Sequence, residues 1–166
     1  LGKRRRSEAE TEETQEAVEP AEPPLEEAKR RLRALEQMDL SDPANVKPFF
    51  VELSDIFRTY LARRVRIPAL ESTTRELIDR LQLALDSGMV PTEIVGEVEG
   101  VLSQADLVKF ADVRPPSEDG RSALFRTRSA IEGAESRYHA REQTSPVEES
   151  DYDHEESETQ RVNHVE

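Results

Sequence analysis

The sequence predicts an all-α fold, a small bundle of about five helices flanked by disordered acidic tails. Apolar residues recur at steps of three and four positions in five separate segments, which is the pattern of amphipathic helices. No segment shows the alternation of apolar and polar residues that is typical of a strand. Helices with one apolar face each, joined by short loops, pack around a single core.

Charge and proline divide the 166 residues into four parts. The chain is 36% charged and 35% hydrophobic, with a net charge of −13, and its acidity is concentrated towards the two ends. The end segments have too few apolar side chains to offset the entropy cost of ordering them. The predicted parts are a basic flank (1–6), a disordered acidic linker (7–24), a helical bundle (25–142) and a disordered acidic tail (143–166).

The first helical segment reads PLEEAKRRLRALEQM. Pro24 suits the first helical position, and Glu26 and Glu27 suit the first turn. This helix either packs on the bundle or projects from it. Its apolar face consists of Leu25, Ala28, Leu32, Leu35 and Met38.

The second segment contains FFVELSDIFRTYLARRV. Asp42 and Pro43 form a start signal, but Pro48 clashes with an established helix. Either a short turn therefore precedes the main helix, or the helix is bent there. Pro68 restricts Ile67 and ends it. The apolar stripe is Phe49, Leu53, Ile56, Phe57, Tyr60 and Leu61.

The remaining three helices have clearer limits. Thr73 and Glu76 match a capping box at the start of the third helix, and Gly88 is a stop signal after it. The fifth helix begins near Ser117. The predicted buried positions are Leu77, Ile78, Leu81, Ala84 and Leu85 on the third helix, Ile94, Val98, Val101, Leu102 and Ala105 on the fourth, and Leu124, Ile131, Ala134 and Tyr138 on the fifth.

The chain offers no recognisable catalytic set. It has no cysteine, and its three histidines lie at or beyond the end of the last helix. Ser54 next to Asp55, and Ser103 near Asp106, have no histidine to activate a nucleophile, so we expect helix-surface positions or local hydrogen bonds. The spacing does not support an enzyme built from carboxylates either. We expect no cofactor and no small-molecule substrate.

An acidic cluster near the C-terminus contains ligand types that a divalent ion accepts. A metal site needs fixed ligands and an ordered second layer of partners, which a disordered acidic run lacks. We therefore expect no metal site there. The cluster consists of Asp151, Asp153, His154, Glu155 and Glu156.

Two basic groups have alternative interpretations. Arg63, Arg64 and Arg66 suit the C-terminal end of a helix, or form a docking patch for an acidic partner. The run Lys3 to Arg6 (Lys3, Arg4, Arg5, Arg6) is typical of the cytoplasmic flank of a transmembrane helix N-terminal to Leu1. A nuclear-localisation-like run and an artificial sequence boundary are the other interpretations of LGKRRR.

A DNA-binding regulator is the alternative function. The segment ESTTRELIDRL resembles the recognition helix of a DNA-binding helical domain. Its acidic surroundings disfavour this interpretation, because nucleic-acid affinity comes mainly from Lys and Arg neutralising phosphates. We therefore favour a protein with no nucleic-acid partner.

Three longer motifs resemble the cytoplasmic C-terminal region of BatD-like bacterial membrane proteins. They are F-x-x-E-L-S-D-I-x-R-x-Y-L, matched up to Leu61, I-P-A-L-E-x-T-T-x-E-L at 67–77, and A-D-L-V-K-F-A at 105–111. The resemblance covers about residues 25–137. It implies a non-catalytic module on the cytoplasmic face of the inner membrane, in a single-pass protein that meets a MoxR-type AAA+ ATPase or a von Willebrand A protein.

The residues of these motifs also have a structural interpretation. Asp106 and Lys109 form a local or interhelical polar pair, or part of a partner surface together with the three arginines. The apolar members of the motifs are expected in the core. These expected core residues are Leu53, Ile56, Tyr60, Leu61, Leu107 and Phe110.

Overall fold

The computed structural model describes residues 20–144 and confirms the all-α prediction. Within that range the chain forms helices and contains no strand. The predicted tails lie mainly outside the described residues, and so do Lys3 to Arg6 and the acidic cluster at 151–156. The five helices are α1 (Pro24–Glu36), α2 (Pro43–Tyr60), α3 (Thr74–Asp86), α4 (Thr92–Phe110) and α5 (Ser117–Thr144).

Helix α1 packs on the bundle rather than projecting from it. Ala28, Leu32 and Leu35 are buried where α1 meets α2 and α5. Pro24 occupies the start of the helix, with Glu26 and Glu27 in the first turn as expected. The neighbouring helices therefore bury the apolar stripe of α1. This burial stabilises a helix of this length more than its helix propensity alone does.

Helix α2 runs without interruption from Pro43 through Pro48 to Tyr60. Asp42 caps it, since its Oδ1 accepts a 2.9 Å hydrogen bond from the Ala44 N–H. Pro48 lies close enough to the N-terminus that little of the hydrogen-bond ladder precedes it. The helix then continues as a π turn over Leu61–Val65 and ends at Arg66, whose φ is +64°. The sequence pattern did not predict this turn.

Helix α3 confirms both of its predicted end signals. Thr73 Oγ1 accepts from the Glu76 N–H at 3.2 Å, and Glu76 Oε2 accepts from the Thr73 N–H at 2.9 Å. Gly88 follows the helix with a φ of +76°, a conformation that favours glycine. The capping box and the glycine thus fix the limits of α3 within one or two residues of the expected positions.

The core lies where α2 packs on the other helices. Phe49 and Phe50 contact each other edge to face, with ring centroids 5.4 Å apart. The buried face of α4 contains all five predicted residues. The large side chains that are almost fully buried include Phe49, Phe50, Leu53, Ile56, Phe57, Tyr60, Leu61, Leu77, Leu81, Ile94 and Leu102.

Two residues expected in the core lie on the surface instead. Leu107 is 52% exposed and Phe110 is 81% exposed. At about 100° per residue, both positions point away from the stripe centred on Ala105, which packs on the rest of the bundle. The prediction that Leu107 and Phe110 are core residues is therefore wrong.

Candidate docking groove

A groove of about 430 Å³ lies between α2, the connection from α2 to α3, and the C-terminal end of α4. Val51 and Ser54 line it from α2, Leu70 from the connection, and Lys109 and Phe110 from α4. The short connection places these residues together, because α3 begins beside the last turns of α4. Thr74 at the start of α3 hydrogen-bonds Asp106 on α4.

The rim of the groove is apolar and exposed. Phe110 is 81% exposed, Leu70 is 50% exposed and Val51 is 43% exposed. Leu107 lies one turn before Phe110 on α4 and extends the apolar surface. Scattered apolar residues are normal on a protein surface, but exposed apolar residues grouped around a concavity are typical of interaction sites.

The base of the groove is held by a polar network around Arg58. Its guanidinium donates to the carbonyl oxygens of Ala69 and Ser72 at 2.7 and 2.6 Å, and to Thr74 Oγ1 at 3.0 Å. Thr74 Oγ1 in turn donates to Asp106 Oδ2 at 2.6 Å. This network ties α2, the connection, α3 and α4 together and fixes the shape of the groove.

Asp106 and Lys109 are not paired with each other. Asp106 instead accepts a hydrogen bond from Thr74 on α3. Lys109 Nζ lies 5.4 Å from the centroid of the Phe110 ring. Within residues 20–144, no carboxylate lies within ion-pair distance of Lys109. Its ammonium group lies beside the apolar rim, in a groove that Asp55 and Asp106 also line.

Ser54 departs from the expectation of a surface position or a local hydrogen bond. Its side chain is 1% exposed, and its Oγ has no hydrogen-bond partner among the described residues. A buried hydroxyl normally has a partner, since leaving one unpaired costs about 1–3 kcal/mol. The neighbouring Asp55 is paired, because its Oδ2 accepts from Arg31 Nη2 at 2.6 Å.

The arginines of the second predicted patch make contacts away from this groove. Arg63 forms an ion pair with Glu27 on α1 and donates to the Glu22 carbonyl oxygen. Arg64 donates to Glu135 Oε1 at 2.9 Å on α5. Arg66 is exposed at the end of the π turn. The contacts of Arg63 and Arg64 thus join helices to one another, whereas Asp106 and Lys109 line the groove.

Arg64 joins a polar cluster that is centred on the buried Glu135 of α5. The same Glu135 oxygen accepts a 2.8 Å hydrogen bond from the Tyr60 hydroxyl, and the Arg64 guanidinium lies 4.4 Å from the centroid of the Tyr138 ring. Burial, reinforced by the Glu135 carboxylate, raises the pKa of Tyr60 well above its usual value. His139 lies beside Glu135 and Glu142, on the same helix.

The exposed face of α3 carries both signs of charge. Arg75 and Arg80 are exposed, and so are Glu76, Asp79 and Asp86. A recognition helix that enters a DNA groove presents a predominantly basic surface. The arrangement does not favour the DNA-binding alternative, which stays a prediction.

Residues 20–144 offer neither a metal-ligating cluster nor a helix suited to crossing a bilayer. In this range no group of three or more His, Asp or Glu side chains is placed to hold a metal ion. Within the same range, no helix combines the length and the apolar character that crossing a bilayer requires.

The sequence did not single out Val51, Arg58 or Leu70 as groove residues. Leu70 carried the clearest available signal, because it is an apolar residue in a short connection that also contains Pro68 and Glu71.

In comparisons with known proteins, no family model matches the chain, and no curated protein or solved structure matches it.

Proposed function

We propose that the chain is a non-catalytic cytoplasmic interaction module of a bacterial single-pass inner-membrane protein. Its partner is a MoxR-type AAA+ ATPase or a von Willebrand A protein, and it docks through the groove between α2 and α4. The partner class comes from the resemblance to BatD-like tails at residues 25–137. The basic run at Lys3 to Arg6 supports attachment to a membrane.

The exposure of Phe110 is the observation that carries the proposal. An aromatic ring left 81% exposed beside a groove, with Leu70 and Val51 across from it, loses the free energy that burial provides. Aromatic anchors at the centre of an interface contribute strongly to binding. A partner that covers Phe110 gains this free energy without any change in the fold of the bundle.

The chain contains a second exposed phenylalanine, which serves as a matched control for a substitution in this groove. Phe110 and Phe125 are both exposed phenylalanines, at 81% and 68%, but Phe125 lies on α5 and does not line the groove. We expect Phe110→Ser to reduce capture of the MoxR-type ATPase by the full-length protein at least about tenfold. Phe125→Ser should capture it as well as the unchanged protein.

Equal capture by both variants, or equal loss, would refute docking at this groove. A von Willebrand A protein of the same bacterium should be assayed in parallel, since the resemblance implies either partner. Circular dichroism of both variants provides the control for folding, because a loss of capture counts only when the helical signal is unchanged.

Membrane attachment has a separate test. Cells that produce the full-length native protein are fractionated, and the membranes are washed at alkaline pH. Retention in the washed membrane supports a transmembrane helix before the basic flank. Release into the soluble fraction would contradict the membrane part of the proposal. The docking test would still apply, because it does not depend on membrane attachment.

A further inference from the structure

We propose that the acidic segment 147–151, which lies outside the described residues, docks in a second groove of its own chain. This second groove lies between the α3–α4 connection (87–91) and the C-terminal turns of α5. It is separate from the groove between α2 and α4, so the inference goes beyond the proposed function. Three observations support it: the lining of the second groove, the place where α5 ends and the charge of the residues that follow.

The second groove has a volume of about 410 Å³. Leu85 lines it from α3, and Tyr138 and Arg141 line it from α5. The Tyr138 hydroxyl donates to the Met89 carbonyl oxygen at 3.4 Å, and Arg141 Nη1 donates to the Gly88 carbonyl oxygen. These hydrogen bonds hold the last turns of α5 against the α3–α4 connection and keep the groove open between them.

The lining of the second groove is positively charged. It contains Arg137 and Arg141 and, among the described residues, no carboxylate. Arg137 pairs with Glu93, which lies outside the lining. These two side chains are 62% and 46% exposed, so solvent weakens their attraction. The groove between α2 and α4 differs, because acidic and basic residues line it in equal number.

The acidic segment begins beside the second groove. Thr144 is the last described residue, and Arg137 lies about 10 Å before it along α5. Pro146 disfavours a helical continuation of α5, because proline is poorly accommodated within a helix. Asp151 extends at most about 24 Å beyond Thr144. The segment is therefore long enough to turn back and lie along the groove.

The residues after Pro146 complement the lining. Val147 is followed directly by Glu148 and Glu149, and residues 147–156 contain six carboxylates and no Lys or Arg. Val147 can pack on the apolar wall at Leu85 while the two glutamates approach the arginines of α5. Covalent attachment to α5 gives the segment a high effective concentration, so even a weak contact is populated.

The test is paramagnetic relaxation in the ¹⁵N-labelled full-length chain. The chain has no cysteine, so Ser150→Cys provides a single site for a nitroxide spin label. We expect the label to broaden the amide signals of Gly88, Met89 and Thr92. The amide of Lys109, at the opposite end of α4, should stay sharp. Broadening centred elsewhere, or none, would overturn the proposal.

Charge variants of the segment separate docking from mere proximity to α5. Glu148→Gln combined with Glu149→Gln should reduce the broadening at Gly88 at least about twofold. Glu155→Gln combined with Glu156→Gln removes the same number of charges further along the chain and should leave the broadening unchanged. Equal broadening in the two double variants would refute docking in the second groove.

Variants of the groove test the other side of the contact. Arg141→Glu should reduce the broadening at Gly88 at least about twofold, and Arg141→Lys should retain most of it. Arg80→Glu on α3 is the matched control, because Arg80 is exposed and does not line the groove. The variants of the segment leave the bundle unaltered, so they decide the case if Arg141→Glu loosens the end of α5.

A mixed sample identifies the source of the segment. Spin-labelled protein without ¹⁵N is mixed with ¹⁵N-labelled protein that carries no label. Broadening at Gly88 in this mixture would show that the segment of a second copy fills the groove, and the proposal would fail. Capture of the ATPase depends on Phe110 and a different surface, so failure of this inference is distinguishable from failure of the proposed function.

Discussion

Tyr60 donates a 2.8 Å hydrogen bond to Glu135, a residue 75 positions further along the chain. Arg64 donates to the same carboxylate oxygen at 2.9 Å. The side chain of Glu135 is 8% exposed, so these two donors replace hydration that its carboxylate loses on burial. The cluster joins the end of α2 to the middle of α5, and it is the most deeply buried ionic contact of the bundle among the described residues.

Removing the carboxylate should cost more than removing the hydroxyl. Glu135→Ala leaves Tyr60 and Arg64 without their shared acceptor, and we expect a loss of about 3 kcal/mol in the free energy of unfolding. Tyr60→Phe leaves Glu135 bonded to Arg64 and should cost about 1 kcal/mol. Urea unfolding followed by circular dichroism measures both. Equal losses would contradict the central role of Glu135.

The stability of the bundle should fall at alkaline pH through Tyr60. Burial raises the pKa of this hydroxyl above its ordinary value of 10.0, with the Glu135 carboxylate as a further cause. The unfolded chain therefore releases the proton near pH 10 while the folded chain keeps it. The contribution is complete below pH 10 and is lost as pH rises from there towards the folded pKa.

Tyr60→Phe should accordingly flatten the decline of the free energy of unfolding above pH 10. Burial also raises the pKa of Tyr138, so Tyr138→Phe is the variant for comparison. Unfolding in urea at a series of pH values gives the slopes. An unchanged slope in Tyr60→Phe would show that this hydroxyl does not couple folding to alkaline pH.

Two glycines on α5 should respond in opposite directions to alanine. A Cβ at Gly133 meets nothing within 4 Å, so Gly133→Ala should stabilise the helix by about 1 kcal/mol. A Cβ at Gly120 lies 2.6 Å from Leu40 Cδ1 and 3.4 Å from Phe49 Cε1. Gly120→Ala should destabilise by about 1–2 kcal/mol through overpacking. Thermal unfolding of the pair provides the comparison, and a shift of the same sign in both would contradict the packing around Gly120.

Phe110 should contribute little to the stability of the free protein. We expect Phe110→Ala to change the free energy of unfolding by less than about 0.5 kcal/mol, because the side chain is mainly exposed. Phe57→Ala, which empties a fully buried site, should cost about 3–5 kcal/mol. Chemical unfolding of the two variants distinguishes them. A large loss in Phe110→Ala would restore the interpretation of Phe110 as a core residue.

The helices could be predicted from the sequence where their apolar residues all lie on a single face. The capping box of Thr73 and Glu76 and the stop at Gly88 are local signals that need no tertiary partner, and both were confirmed. Leu107 and Phe110 were misplaced for the opposite reason. Hydrophobic character alone does not tell which side of α4 meets the bundle, and both residues occur in a motif whose Ala105 and Val108 are buried.

The groove required the three-dimensional arrangement. Ser54 and Thr74 gave no sign in the sequence of sharing one concavity, since the contacts that build it depend on how α3 packs beside α4. The roles of Arg63 and Arg64 were equally hidden. Adjacent arginines at a helix end suggest one surface, whereas each contacts a different helix.

The π turn over Leu61–Val65 has a consequence for changes in chain length. A π turn accommodates one more residue than the α-helical ladder around it. Because the π turn absorbs this residue, deletion of one residue there allows a regular helix and leaves the following side chains in nearly their present directions. Insertion of one further residue would instead rotate the following side chains by about 100°. Arg64 would then leave Glu135 on α5, and the connection that carries Leu70 would start in another direction.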